Sequence, residues 1–241
     1  DEGAGETICA GHATRPPAMT PDRLRAIAFW AGELTGTELE RACRGLVEKT
    51  WPAGATIVHR GDAFEYWTGV VSGLVKISSV SSSGKAVSLA GMPAGMWFGE
   101  GSMLKGERRQ YDLVTLRESR LAMMNRTTFS WLFENSVGFN RFLVRQFNER
   151  LGQFIALVEH DRMLDGVARV ARVIAWLFNP VLNPNIGRSL DISQEELGLI
   201  AGLSRQVANR ALQILEAEGL LKITQASLTP LDLPALSRYG D

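Results

Sequence analysis

Two stretches hold residues whose types and spacing could do chemistry. In Phe98 to Asp112, "FGEGSMLKGERRQYD", a Gly-Glu pair follows an apolar run and leads to glycines and two adjacent arginines. That composition suits a phosphate cradle, since guanidinium groups give phosphate oxygens charged, geometrically matched donors. In "ISQEELGLIAGLSRQVANRAL", starting at Ile192, Arg205, Gln206, Asn209, Arg210 and Gln213 fall on one helical face. Arg there reads guanine bidentately, and Gln can do the same for adenine. Other reactive side chains do not assemble. His12, His59 and His160 lack the spacing of metal ligands, which removes a cupin-type metalloenzyme. Cys9 and Cys43 are too far apart for a disulfide framework or a Cys-rich cluster. No nucleophile and base stand at a useful spacing. Neither an enzyme nor a cofactor is expected.

The elements that must position these stretches follow from patterning. Within 241 residues, 26 Lys and Arg balance 26 Asp and Glu, so DNA affinity would need a local patch rather than net charge. No run of eighteen apolar residues exists and the start of the chain lacks a signal pattern, so a cytoplasmic location with no membrane partner is expected. Residues 1–20 read as a loose tail. Two short helices follow, "PDRLRAIAFWAGEL" and "TGTELERACRGLVEK", the second with Leu39, Ala42, Cys43 and Leu46 on one face. From Trp51 to about Asn125, short β-rich pieces alternate with glycine turns, which predicts a β-barrel, sandwich or jelly roll. A long helix is predicted from about Thr127 to Met163. Its Val144, Phe147, Leu151, Phe154 and Val158 repeat at spacings of 3, 4, 3 and 4. That seam either packs on its own barrel or pairs with the same helix of a second chain. A further helix starts near Asp165, after a boundary around 161–165. Ser193 with Glu196 then forms a capping box, "GLS" turns the chain, and Ser204 caps a helix with Val207, Ala211, Ile214 and Leu215 inward. "GLLKITQASLTPL" reads as a two-stranded wing. Spacing leaves a helix-turn-helix and a plain helical hairpin both open. Charge does not favour DNA, because Arg205, Arg210 and Lys222 face five acids between Ser189 and Thr224.

The order of parts resembles the Crp/Fnr family of bacterial transcription regulators, from about Trp51 to Leu231. The resemblance rests on "GATIVHRGD", "VVSGLVKI", "WFGEGSML", the long helix and, most specifically, "ISQEELGLIAGLSRQVANRAL". It implies an α+β chain: a β-roll with leading helices over 21–135, a dimerisation helix over 136–163 and a winged helix-turn-helix over 164–241. It also implies a homodimer on double-stranded DNA, with RNA polymerase as a further partner. By position, Arg205, Gln206 and Arg210 become base readers beside Asn209, and Ser204 holds a backbone phosphate. Gln206 stands where many members have Glu, so the usual half-site is not expected.

In members that bind cyclic nucleotides, the Gly-Glu pair takes the ribose, and an Arg then a Ser or Thr take the phosphate. Gly99 and Glu100 match, but Arg109 comes one residue early and is followed by Gln110 and Tyr111. The helix positions that face the base hold Phe154 and Ile155, which offer no hydrogen bond. An iron–sulfur sensor would need more cysteines, and His59 is expected to be structural rather than a haem ligand. Cyclic AMP is therefore not the expected effector, and Tyr111 and Phe154 are expected to fill part of its space. The effector is unknown. The alternatives are a cyclic-nucleotide-gated regulator, and a β-roll adaptor whose C-terminal helices bind protein.

Overall fold

A computed structural model describes residues 18–63, 66–80, 86–160, 165–224 and 227–240. Cys9 and His12 lie outside these residues. The chain opens with α1 (Pro21–Ile27), where the Thr20 hydroxyl accepts from the Arg23 amide and Pro21 occupies the first turn. A short 3-10 turn (Phe29–Glu33) leads to α2 (Gly36–Arg44), which a Thr35/Glu38 capping box starts. Leu46 does not continue that helix. It begins β1 (Leu46–Trp51), which pairs antiparallel with the last strand of the roll. The helical spacing from Leu39 to Leu46 straddles a helix end at Gly45.

The roll comprises β1 with β2 (Thr56–Val58), β3 (Tyr66–Ser72), β4 (Leu74–Val80), β5 (Ala86–Pro93), β6 (Trp97–Phe98), β7 (Asp112–Thr115) and β8 (Ser119–Asn125). These form two four-stranded antiparallel sheets, β1-β8-β3-β6 and β2-β7-β4-β5. Between the sheets lie Val58, Val70, Val75, Met92, Phe98, Leu113 and Leu121. Side chains alternate across a strand, so Val70 of β3 enters this interior while Trp67 faces the other way. There Trp67 meets a second core, built with Trp30, Trp97, Phe129, Phe139 and Phe142 around the N-terminal helices. Both faces of β3 are therefore covered.

A short α3 (Glu100–Lys105) follows β6. After the roll, the expected single helix is two: α4 (Arg126–Asn135) and α5 (Val137–His160). Ser136 separates them. Its backbone is extended (φ −111°, ψ 110°), and its hydroxyl accepts from the Phe139 amide, as at a new helix start. Next come α6 (Gly166–Leu177), β9 (Leu190–Asp191), α7 (Gln194–Ala201), α8 (Arg205–Ala217), β10 (Leu221–Ile223), β11 (Ser227–Pro230) and α9 (Leu233–Ser237). The wing has three strands rather than the expected two, ordered β10-β11-β9. The architecture is α+β, a jelly-roll-like β-roll and long helix followed by a winged helix-turn-helix. Among the described residues, no helix is long and apolar enough to cross a membrane.

Candidate nucleic-acid interface and effector pocket

The helix-turn-helix is set by its caps. Ser193 Oγ accepts from the Glu196 amide, and the Glu196 carboxylate accepts from the Ser193 amide at 2.8 Å. α7 ends at Gly202 in the left-handed region (φ +66°), and Ser204 Oγ accepts from the Val207 amide at 3.3 Å to start α8. Ser204 is thus a cap at the exposed N-terminus of α8, where unpaired amides and the helix dipole favour a phosphate. Arg205, Gln206 and Arg210 are exposed, while Asn209 is only half exposed. The inward face differs from the expected one. Val207 is 43% exposed, and Ala208 and Leu212 join Ala211 and Leu215 inside. The buried stripe is the face of α8 that packs on α6 and α7, one position later than a stripe through Val207. The charge objection also weakens. Three of the five acids are engaged within the fold: Glu196 with Arg117, Glu216 with the Ile223 amide and Glu218 with the Tyr239 hydroxyl.

The glycine-rich stretch folds as β6, a tight turn and α3. Gly99 takes φ +97°, and a Cβ there would lie 2.4 Å from Arg109 Nη1. Glycine thus allows both the backbone turn and the close approach of the guanidinium. Arg109 approaches this turn from the loop before β7. It is 1% exposed and lies beside Gly99. It donates from Nη2 to the Tyr66 carbonyl at 2.6 Å and from Nη1 to the Tyr111 hydroxyl at 3.0 Å. Burial pushes the Tyr111 phenol above its ordinary pKa, although Arg109 acts in the opposite sense. The phenol stays neutral and accepts. Glu100 is 4% exposed. Its carboxylate accepts from Trp67 Nε1 at 3.3 Å and from the guanidinium of Arg150 on α5, which also donates to the Trp97 carbonyl.

Phe154 is not placed as expected. Its ring lies edge-on to Trp176 of α6, with centroids 6.0 Å apart, and it is 46% exposed. One helical turn earlier, Arg150 makes the contact with the roll instead. Sequence reasoning missed Arg150, Trp67 and Arg117. No local signal marked Arg150: Arg141 on the same helix also lacks a carboxylate three or four residues away, yet it is exposed. Along α5, Val144 (66%) and Leu151 (59%) are well exposed, and Val137, Phe147 and Ile155 are partly or largely so. The Val158 side chain lies outside the described ones. Among the described residues, no group of His, Cys, Asp and Glu is arranged to hold a metal.

Comparison with known proteins bears on both regions. Residues 48–136 match the cyclic nucleotide-binding domain, and residues 168–239 match the Crp-like helix-turn-helix domain. The chain is 26% identical over 175 residues to the cAMP-activated global transcriptional regulator CRP of Haemophilus influenzae, covering 71% of this chain and 78% of that protein. It is 26% identical over 190 residues to the cyclic AMP receptor protein of Thermus thermophilus, covering 79% and 86%. In fold it is similar to FixK2 from Bradyrhizobium japonicum, with a TM-score of 0.61 at 19% identity over 79% of this chain and 95% of that one. The order of elements, the two matched regions and these relatives agree: the chain belongs to the Crp/Fnr family of DNA-binding transcription regulators.

Proposed function

We propose that the chain regulates transcription as a homodimer paired through α5, with one α8 reading each half-site of an inverted repeat. On this reading, residues 21–135 form the sensor, 136–163 the dimer helix and 164–241 the DNA-binding unit. RNA polymerase is the further partner, the site of action is the cytoplasm, and no catalysis is involved. The observation that carries the reading is the apolar strip of α5, on which Val144, Phe147, Leu151 and Phe154 stay exposed in the single chain. A strip of that kind beside polar surface favours a protein partner. The base readers are Arg205, Gln206 and Arg210 with Asn209, and Ser204 and its neighbouring amides take a phosphate. Footprinting on an operator selected from random DNA should show an inverted repeat with half-sites about one turn (~34 Å) apart. Protection of a single half-site would count against the dimer.

We further propose that the roll is held by its own side chains and needs no cyclic AMP. The support is that Glu100 and Arg109, the two charged positions a cyclic nucleotide would use, are already engaged by Trp67, Arg150, Tyr66 and Tyr111. A nucleotide entering there would have to replace those contacts, and removing partners from buried charges is costly. One observation favours the competing reading of a nucleotide-gated regulator: Arg109 sits beside Gly99, next to Glu100, despite its early position. Titration calorimetry with cyclic AMP and cyclic GMP decides between them. No heat is expected with either. Binding that is lost in Arg109→Ala would establish the gated mechanism instead.

A further inference from the structure

The DNA-binding unit is not simply tethered to the roll. Arg117, in the turn after β7, forms two hydrogen bonds to Glu196 of α7, from Nε at 2.7 Å and from Nη2 at 2.6 Å. Its Nη2 also donates to the Asp191 carbonyl at 2.9 Å. Beside this ion pair, Ile200 of α7 packs into β5 at Gly91, where a Cβ would lie 2.5 Å from Ile200 Cδ1. Leu74 of β4 is buried in the same apolar cluster as Val170, Ile174 and Ile200. The loop between α6 and β9 adds three polar ties. Asn183 Nδ2 donates to the Ala94 carbonyl, Asn179 Nδ2 to Glu149 of α5, and Gln146 of α5 to the Val181 carbonyl. All these contacts lie away from the reading end of α8, where Arg205, Gln206 and Arg210 stay exposed. Docking therefore does not cover the reading residues. It sets the direction in which they point relative to α5.

We infer that Arg117 is a positioning residue for operator recognition: through Glu196 it holds the helix-turn-helix at the angle to α5 that fits the spacing of two half-sites. The inference rests on the reading of the chain as an α5-paired dimer on an inverted repeat. Two linked modules gain affinity for two linked sites only when their geometry allows both to engage at once. A bidentate guanidinium on a carboxylate fixes angle as well as distance, which a single apolar contact does not. Gly91 works with it by admitting Ile200 close to the β5 backbone. Arg117 and Gly91 both belong to the roll, outside the region of α7 and α8.

The test uses the full chain and an operator selected by the wild-type protein from random DNA. Affinity is measured for that operator, for versions with one or two base pairs inserted between half-sites, and for a single half-site. Arg117→Ala should lose about tenfold on the selected operator but stay roughly unchanged on the half-site, so its preference among spacings flattens. Glu196→Gln, which keeps the capping box, should behave likewise, and Arg117→Lys should restore part of the loss. Gly91→Ala, which pushes on Ile200 from the roll, should flatten the preference without touching the ion pair. Equal losses on every DNA would mean that Arg117 merely stabilises the fold, and would overturn the inference. So would a gain in affinity, since docking would then be inhibitory. If the wild type selects only single half-sites, the dimer reading falls and takes this inference with it. A selected inverted repeat with unaltered spacing preference in Arg117→Ala and Glu196→Gln would sink the inference alone.

Discussion

At the scale of single residues, Glu100 shows how burial decides the role of a charge. A carboxylate this far from water must be compensated, and Trp67 and Arg150 both donate to it. Trp67→Phe keeps most of the buried ring area and removes one donor. It should cost ~1.5–3 kcal/mol in urea unfolding, the range for a hydrogen bond to a charged group. An unchanged midpoint would mean that the indole contributes only packing. On the exposed face of α8 that we propose reads DNA, Arg205→Ala and Arg210→Ala should each weaken binding to the selected operator by ~1–3 kcal/mol and relax base preference at one position. Equal affinity for operator and scrambled DNA in the wild type would leave these residues nothing to read. Glu196 carries a pH signature. Burial alone would raise its carboxyl pKa, but hydrogen bonds from Arg117 and Ser193 outweigh that and hold it below the ordinary carboxylate value. Its folded value therefore lies below its unfolded one. The associated stability is fully present above the unfolded value and is lost as pH falls through the folded value. The melting-temperature gap between wild type and Arg117→Ala should be steady near neutrality and close only in acid. A gap that closes near neutral pH would assign the effect to some other group.

At the scale of elements, α5 does two jobs on two faces. Gln146, Glu149 and Arg150 tie it to the loop after α6 and to the roll, while Val144, Leu151 and Phe154 remain exposed. Burying the exposed strip against a second copy would contribute up to ~1.5–3 kcal/mol per fully covered side chain. Leu151→Glu places a charge in that strip and should give monomers in sedimentation. Because Leu151 is exposed in the single chain, the variant should keep its far-ultraviolet circular dichroism and its fold. A dimer that survives the change would move the interface to another surface. The break at Ser136 matters here too. It lets α4 pack Phe129 and Leu132 into the aromatic core while α5 leaves at its own angle.

At the scale of the whole molecule, three cores are joined through a few side chains. Arg150 links α5 to the aromatic core through Glu100 and the Trp97 carbonyl, and Leu74 joins the roll to the helices of the DNA-binding unit. β5 and Arg117 are where the roll meets α7, and Leu74 of β4 is buried in the same cluster. Removing one tie between α5 and the loop after α6 with Gln146→Ala should change spacing preference less than Arg117→Ala does, because Asn179 still holds Glu149. Measurement on the same operator set checks the order of the two effects.

Much of this was legible in the sequence because it depends on local rules. The capping boxes, the glycine turns, the β-rich run from Trp51 and the polar end of α8 follow from spacing, cap chemistry and strand pattern. The β-strand after Gly45 was not legible, because its apolar residues continue the helical period of α2 by coincidence and only pairing with β8 decides it. The phase of α8 was misread by one position, since Val207 and Ala208 are both apolar and only packing on α7 selects between them. The partners of charge lay furthest from view. Glu100 and Arg150 are 50 residues apart, and Arg117 and Glu196 are 79 apart. No local pattern joins them. Burial obliges Glu100 to find donors, whereas the partly exposed Arg117 meets Glu196 because α7 docks beside the turn after β7. In both cases only the tertiary structure decides the partner.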